Sequence, residues 1–593
     1  MKTVFVFLMF WSFLPSFAQT DQLARNYFDR GDFEKALVIY KQLYEKEPYN
    51  QAHFMGLVES YQQLRKFGQA EDLLRDRLNT TANAPHYLIE LGHNYELQEK
   101  KDEAVKLYDE ALRSVESRPN FAFPIARTFE KYSLLDYAVA AYELGMSKNP
   151  DAEFGIQLAR LYGEQGEIDK MLSYYIDVVT QNETLLPAVS RIYGQFITED
   201  PENEANRLFR QQLLKRLQDD QSIILNEMLS WLYIQQQDFD KAFLQLKAIY
   251  RRSGGDLGPL MRLSLSALDH NQIPTAIEIL EYIIAESPSQ VVQLQAHQLR
   301  LNAMQKITPE EDFGKIQKIY EELVSQYSSV GRPLLSLKID QANFLAFRQG
   351  NTDDAKRILE SSLESELGSF DEAGLKMALA DILVLEEKFN RALIYYSQVQ
   401  TLVENDQIAQ TAAYKVARTS YYKGDFKWAL MQLDVLKSAT SQLVANDAME
   451  LSLLITENKS EDSTQAALRA FARADLLAFQ KKNRAAIGQL DSLLVTFKGA
   501  AIEDEALLRQ ALLLKEEGDF DNAEANLLRL ITNYGSGILG DNAHYQLAEL
   551  YFTKGNLEKA KTYYEKIIFE YPDSIYFVDA RKKFRALRGD ALE

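Results

Sequence analysis

A ladder of small residues at a fixed interval constrains the fold of this chain more than any other feature. Four alanines follow one another every 34 residues: Ala36, Ala70, Ala104 and Ala138. An aromatic residue stands nine positions before each of them: Tyr27, Tyr61, Tyr95 and Phe129. A constant period of this length is typical of stacked helix pairs. The spacing therefore predicts a repeated unit of two amphipathic helices.

The first and last copies of this unit share five positions with identical spacing. These are Tyr27, Gly31, Ala36, Tyr40 and Pro48 in the first copy, and Tyr551, Gly555, Ala560, Tyr564 and Pro572 in the last. The glycine suits the turn, because it ends a helix in the left-handed conformation without a Cβ clash. The alanine lets the two helices cross closely, the second tyrosine fills the space between units, and the proline prevents the second helix from continuing. One pair cannot bury its own apolar face, so neighbouring pairs must stack.

Two steps of this pattern resemble the tetratricopeptide repeat, a family of helix–turn–helix units. They are Leu91-Gly92 with Tyr95 in one copy, and Gly555 with Ala560 in another. The resemblance covers most of residues 20–585 and implies an all-α, right-handed α-solenoid superhelix of about fifteen helix pairs. Domain organisation is predicted as a signal peptide at 1–18, an N-terminal array at 19–330 and a C-terminal array at 331–593.

The chain departs from the family pattern in several places. Arg65 and Glu99 stand where the turn glycine is expected, and Met171 replaces the small crossing residue. Residues 290–330 and 440–465 keep helical periodicity but lose the motif. The C-terminal copies, with a basic capping helix at 579–588, resemble repeats of bacterial envelope proteins that serve assembly complexes.

The beginning of the chain predicts export. Lys2 precedes an apolar run that is too short for a membrane span, and Ser16 and Ala18 are the small residues that a signal peptidase reads. We expect cleavage after Ala18. The expected location is the periplasm, or peripheral attachment to the outer membrane, without direct membrane insertion of the mature protein.

Composition and motifs exclude several function classes. The chain has no cysteine, which excludes disulfides, thiolate metal sites and cysteine catalysis. Its formal charge of -20 disfavours nucleic-acid binding. Gly535, Gly537 and Gly540 match a dinucleotide-binding pattern, but a helix precedes them where that site requires a strand. No catalytic residue, metal site or cofactor is predicted.

The predicted binding residues come from the geometry that the resemblance implies, in which the first helices line a concave groove. Those placed in it are Arg25, His93, Arg127, Arg160 and Arg418. Because arginine grips carboxylates through two hydrogen bonds, the hypothesis is capture of an acidic or C-terminal peptide segment. The alternative is local pairing three or four residues along each helix: His93 with Glu96, Arg127 with Glu130, and Arg160 with Glu164. Tyr414 and Tyr421 are either a recognition surface or part of the repeat core.

Three functional interpretations follow. The first is a non-catalytic scaffold or adaptor of the cell envelope that binds peptides or helices of partner proteins. The second is a module that binds glycans or cell-wall fragments, which exposed aromatic residues in the groove would favour. The third is an enzyme, which buried, convergent carboxylates with strongly shifted pKa values would favour.

Overall fold

The computed structural model describes residues 15–81, 83–437, 441–459 and 465–589. These residues form 32 α-helices and three short 3₁₀ helices, and none of them is in a β-strand. The all-α repeat array predicted from the 34-residue period is confirmed. Most of the predicted signal peptide, residues 1–14, lies outside the described residues, so cleavage after Ala18 stays a prediction.

The helices divide into two compact units, and the boundary along the chain falls between Gln236 and Gln237. The described part of the first unit contains α1 (Pro15–Asp29), α2 (Phe33–Lys46), α3 (Gln51–Gln63), α4 (Phe67–Thr80), α5 (His86–Glu96), α6 (Lys101–Ser117), α7 (Ala122–Lys131), α8 (Leu135–Lys148), α9 (Gly155–Glu164), α10 (Ile168–Gln181), α11 (Leu186–Tyr193), α12 (Glu204–Asp219) and α13 (Ile223–Gln235). The predicted division into arrays at 19–330 and 331–593 stays a prediction.

The second unit continues in the same all-α manner and includes both regions that lose the motif. Its described helices are α14 (Phe239–Ser253), α15 (Gly258–Asp269), α16 (Ile273–Glu286), α17 (Gln290–Ile307), α18 (Phe313–Gln326), α19 (Pro333–Phe347), α20 (Thr352–Leu363), α21 (Ser369–Leu385), α22 (Phe389–Leu402), α23 (Gln407–Lys423), α24 (Phe426–Leu436), α25 (Gln442–Glu457), α26 (Ala466–Phe479), α27 (Asn483–Thr496), α28 (Glu503–Glu516), α29 (Phe520–Tyr534), α30 (Gly540–Thr553), α31 (Leu557–Glu570) and α32 (Phe577–Arg588). None of the helices described in either unit has the length and apolar character that crossing a membrane requires.

Stacking within each unit follows the repeat. A first helix packs on its own second helix and on the next first helix, as α5 does with α6 and α7. The ladder alanines lie at the crossings and are at most 2% exposed: Ala36, Ala70, Ala104 and Ala138. Because an alanine leaves only a methyl group at the crossing, the two helix backbones approach closely and bury their apolar faces.

The short turn inside a pair can be left-handed with or without glycine. Gly31 and Gly555 have φ angles of +81° and +73°. At the equivalent turn positions, Arg65 and Glu99 adopt φ angles of +55° and +63°. A residue with a Cβ atom costs about 1 to 2 kcal/mol in this conformation. Stacking of the flanking helices therefore determines this turn, and glycine only lowers its cost.

A glycine on a first helix receives the tyrosine ring of a neighbouring second helix. A Cβ atom at Gly56 in α3 would lie 2.5 Å from the Tyr40 ring of α2. A Cβ atom at Gly92 in α5 would overlap the Tyr108 ring of α6 in the same way. These tyrosines fill the space between helices, and the missing Cβ makes that space available.

We expect Gly92→Ala to destabilise the protein despite the better helix propensity of alanine. Alanine gains at most about 1 kcal/mol in a helix, whereas the overlap with Tyr108 costs about 1 to 3 kcal/mol. Gly488 in α27 is the matched control, because a Cβ atom there meets nothing within 4 Å. Urea unfolding followed by circular dichroism should show a lower midpoint for Gly92→Ala and an equal or higher one for Gly488→Ala. Equal midpoints for Gly92→Ala and the wild type would contradict the packing role of this glycine.

Candidate partner-binding site

An additional helix interrupts the pairing in the second unit. The pair of α23 and α24 is followed by α25 alone, and the next pair begins with α26. Helix α23 packs against both α25 and α26. The Tyr422 ring of α23 lies 5.9 Å from the Phe479 ring of α26. Helix α26 thus continues the row of first helices, and α25 stands outside that row as a separate wall.

A cavity of about 410 Å³ lies between α25 and the first helices α23, α26 and α28. Its apolar side is formed by Leu451, Leu454, Phe471, Leu508 and Leu512. Its carboxylates are Asp447, Glu450, Glu457, Asp475 and Glu505. Tyr414, Arg418, Tyr421 and Arg509 also line it. The remaining lining residues are Leu453, Ile538, Leu539 and Asn542. We call this set the acidic pocket, because five carboxylates share it with two arginines.

Asp475 is the anchored carboxylate of the acidic pocket. The Arg509 Nε atom donates to its Oδ1 at 2.7 Å, and the Tyr421 hydroxyl donates to its Oδ2 at 3.0 Å. The guanidinium carbon of Arg418 lies 5.5 Å from the ring centre of Tyr422. Arg509 is therefore paired with Asp475, and Arg418 stacks against an aromatic ring of its own helix.

The remaining carboxylates repel one another. Glu505 makes no ion pair among the described residues. Burial raises its pKa to about 8, and the nearby carboxylates of Asp504, Glu450 and Asp475 contribute. The pKa of Glu450 is also raised, by burial and by Asp447 and Asp475. The acidic pocket therefore holds negative charge that its own arginines do not neutralise.

Three residues predicted for partner binding lie in the acidic pocket. Tyr421 is 1% exposed and bonded to Asp475, so its ring belongs to the core. Tyr414 is half-buried, and burial raises its pKa to about 12. Arg418 is half-buried beside them on α23. The structure thus brings Tyr414, Arg418 and Tyr421 together, and their role in binding stays a prediction.

The four predicted residues of the first unit are arranged differently. Arg127 Nη1 lies 3.0 Å from Glu130 Oε2, and Arg160 bonds both Glu130 and Glu164. Glu130 therefore links two successive first helices, α7 and α9. Two of the local pairs given as the alternative, Arg127 with Glu130 and Arg160 with Glu164, are therefore present. The bond from Arg160 to Glu130 additionally joins two repeats.

His93 and Arg25 complete the predicted set in the first unit. The His93 imidazole stacks on the Tyr132 ring with centroids 3.8 Å apart. Its Nδ1 lies 3.9 Å from Glu96 Oε2, and burial lowers its pKa. Arg25 is exposed on α1. Capture of an acidic segment by these residues stays a prediction.

The glycines of the dinucleotide-like pattern lie in a turn between two helices. Helix α29 ends at Tyr534 and α30 begins at Gly540. The Tyr571 hydroxyl donates to the Gly535 carbonyl at 2.8 Å. No strand precedes the pattern, so the turn lacks the context that dinucleotide binding requires.

The acidic side chains are the candidate functional residues that sequence reasoning missed. Asp447 and Glu450 come from α25, whereas Glu505 comes from α28, more than fifty positions later. The loss of the repeat motif at residues 440–465 was the sequence feature that could have pointed to these residues. A helix outside the pairing register creates a wall, and side chains on such a wall are candidates for binding.

Comparison with known protein families identifies the repeat in two parts of the chain. Two segments match tetratricopeptide repeat models. They are residues 27–92, from the end of α1 into α5, and residues 508–575, from α28 to the turn before α32. The matches support the tetratricopeptide family for these parts of the array. The second match includes Leu508, Arg509 and Leu512 of the acidic pocket.

Solved structures with detectable similarity are distant. The structure of Naa15/Naa10 bound to HypK-THB shares 13% identity, with 97% of this chain and 96% of that chain covered and a TM-score of 0.27. The APC/C hetero-tetramer Cut9-Hcn1 shares 13% identity, with 96% and 95% covered and a TM-score of 0.25. A tetratricopeptide repeat protein from Parabacteroides merdae shares 14% identity, with 50% and 96% covered and a TM-score of 0.23. Comparison with curated proteins gave no match.

Proposed function

We propose that this protein is a non-catalytic scaffold of the cell envelope that binds segments of partner proteins. The observation that carries the proposal is the acidic pocket, a cavity of about 410 Å³ whose lining includes side chains from five helices of a tetratricopeptide-like array. Helical repeats of this kind present long binding surfaces without a catalytic centre. The apolar run after Lys2 and the small residues Ser16 and Ala18 support export to the periplasm.

The composition of the acidic pocket favours a protein partner over a glycan. Glycan recognition would be favoured by exposed aromatic faces, but of the three aromatic residues in the lining Tyr421 and Phe471 are buried and Tyr414 is half-buried. The rest of the lining combines leucine and isoleucine side chains with carboxylates, two arginines and an asparagine. Mixed apolar and charged lining is typical of sites that fix a peptide side chain in one orientation.

A hydrolase is the second candidate, because one observation favours it. A carboxyl group whose pKa is raised to about 8, as burial does for Glu505, is suited to general acid catalysis. Asp475 nearby has both oxygens engaged by Arg509 and Tyr421, which makes it a poor general base. Turnover of glycan fragments that Glu505→Gln abolishes would establish the hydrolase and overturn the scaffold.

The scaffold is tested by affinity capture with the tagged mature protein from cross-linked envelopes of the native host. The pocket variant is Asp447→Lys with Glu450→Lys. The control variant is Glu360→Lys with Glu565→Lys, which makes the same charge change at exposed positions outside the pocket. We expect specific envelope proteins to be recovered with the wild type and the control, and at least about tenfold less with the pocket variant. Equal recovery by all three proteins, or none above background, would rule out the pocket as the binding site.

A further inference from the structure

The acidic pocket has too few cations to neutralise it from within, since two arginines stand against five carboxylates. Arg509 is engaged by Asp475 at 2.7 Å, and Arg418 stacks on Tyr422. Asp447, Glu450 and Glu505 have no ion-pair partner in the part of the chain that the structure describes. Carboxylates held close together in a partly dry cavity gain most from a cation placed between them.

Four carboxylates without an ion pair among the described residues lie on two facing walls: Asp447, Glu450 and Glu457 on α25, and Glu505 on α28. Asp447 and Glu450 are three positions apart and therefore share one face of α25. Glu505 is in the first turn of α28. Glu450 and Glu505 line the same cavity of about 410 Å³, so the two walls face one space. A cation that enters the cavity is attracted from both sides.

Apolar surface continues from the cavity to the outside of the protein. Leu454, Leu508 and Leu512 line the interior. At the rim, Leu453 is 51% exposed and Ile538 is 67% exposed. A small hydrophilic amine would leave this surface unused. A segment with apolar residues beside its cation would cover it.

We propose that the acidic pocket binds a lysine- or arginine-bearing amphipathic segment of a partner polypeptide. The inference rests on the scaffold function proposed above and specifies the chemistry of the partner. The ammonium or guanidinium group lies between the α25 and α28 carboxylates, and its methylene stem contacts the leucines. Neighbouring apolar residues of the segment cover Leu453 and Ile538. The charge preference is opposite to the one predicted for the first unit.

The test measures peptide binding by fluorescence anisotropy with the whole mature protein. The probe is a short fluorescein-labelled amphipathic peptide of leucine, lysine and serine. One companion peptide has glutamate in place of lysine, and another has serine in place of leucine. We expect binding to the lysine peptide at least about tenfold tighter than to either companion, and weaker as salt increases. Spermidine should compete only weakly, because it has no apolar side chains.

Two protein variants locate the binding. Asp447→Asn with Glu450→Gln removes charge from the acidic pocket, and Glu360→Gln with Glu565→Gln removes the same charge elsewhere. All four positions are at least partly exposed, so both proteins should fold, which circular dichroism verifies. We expect the pocket variant to bind the lysine peptide at least about tenfold more weakly than the wild type. The control variant should bind it as the wild type does.

Several outcomes would overturn the inference. They are preference for the glutamate peptide, equal weakening by both variants, binding of spermidine as tight as that of the lysine peptide, or no binding of the lysine peptide. If partner capture from envelopes still depends on the pocket, these results leave the scaffold function intact. If the wild-type protein captures no envelope protein but still binds the lysine peptide, the scaffold is overturned and a cation-binding pocket remains.

Discussion

Replacing Lys131 with methionine is expected to destabilise the first unit by about 2 to 3 kcal/mol near pH 8, and by less near pH 5. Lys131 Nζ lies 2.7 Å from Glu59 Oε1 and 3.3 Å from Glu90 Oε1. Glu90 is only 4% exposed. Without Lys131, the Tyr132 hydroxyl is its one remaining donor among the described contacts. An unpaired buried carboxylate costs several kcal/mol, and the estimate is reduced because the lysine itself is 39% exposed.

The pH dependence of this loss follows from Glu90. Burial already raises its pKa, although Lys131 opposes that rise. In the variant the folded-state pKa rises further, so the folded protein holds a proton that the unfolded chain releases. Stability then falls as pH increases from the unfolded pKa through the folded one. Near pH 5 the protonated Glu90 needs no cation, and the loss is smaller.

The measurement is urea unfolding near pH 5 and pH 8, combined with hydrogen exchange of peptides from α5 and α7. Lys131→Met with Glu90→Gln should recover part of the loss, because it removes both charges. Lys35→Met is the surface control, since Lys35 and Asp32 form an exposed pair 3.0 Å apart whose loss should change stability little. An equal loss at both pH values, or no recovery in the double variant, would refute the role assigned to Glu90.

Sequence periodicity predicted the helix pairs because it reports on local geometry and on contacts between adjacent repeats. The alanine ladder placed Ala36 and Ala104 at helix crossings, where they are buried. Even turns without glycine followed the pattern, as the positive φ of Arg65 and Glu99 shows. Because the same spacing pattern recurs in every repeat, a departure at one position, such as a missing turn glycine, does not change the predicted helix pair.

The candidate site could be predicted only in part. Position in the repeat singled out Tyr414 and Arg418, which do lie in the acidic pocket. It could not supply Glu450 or Glu505, because their proximity depends on α25 standing outside the row of first helices. Equivalent positions also differ in their partners, as Arg160 does with Glu130 of the preceding pair. Repeat position predicts where a side chain lies, and the neighbouring helix decides whether it is free to bind.

Replacing Glu505 with glutamine is expected to stabilise the protein near pH 8 to 9 and to change little near pH 4. The folded-state pKa of Glu505 is about 8, against an ordinary value of 4.5. Between these values the folded protein binds the proton and the unfolded chain does not, so wild-type stability falls as pH rises and levels off above about 8. A pKa difference of this size between the folded and unfolded states corresponds to at most about 5 kcal/mol of unfolding free energy. Since the side chain is partly exposed, solvent screening reduces our expectation to about 1 to 2 kcal/mol.

The measurement is the thermal or urea midpoint of both proteins across this pH range. The wild type should lose stability between about pH 5 and 8, and Glu505→Gln should have a flatter profile. Glu565→Gln is the control, because Glu565 is exposed and lies outside the pocket. Parallel profiles for the wild type and Glu505→Gln would show that Glu505 is not held protonated.

The protonation of Glu505 should also affect peptide binding. A lysine side chain in the acidic pocket lowers the pKa of Glu505 and expels its proton. The lysine peptide should therefore bind more tightly as pH rises from about 7 to 9, and Glu505→Gln should remove that dependence.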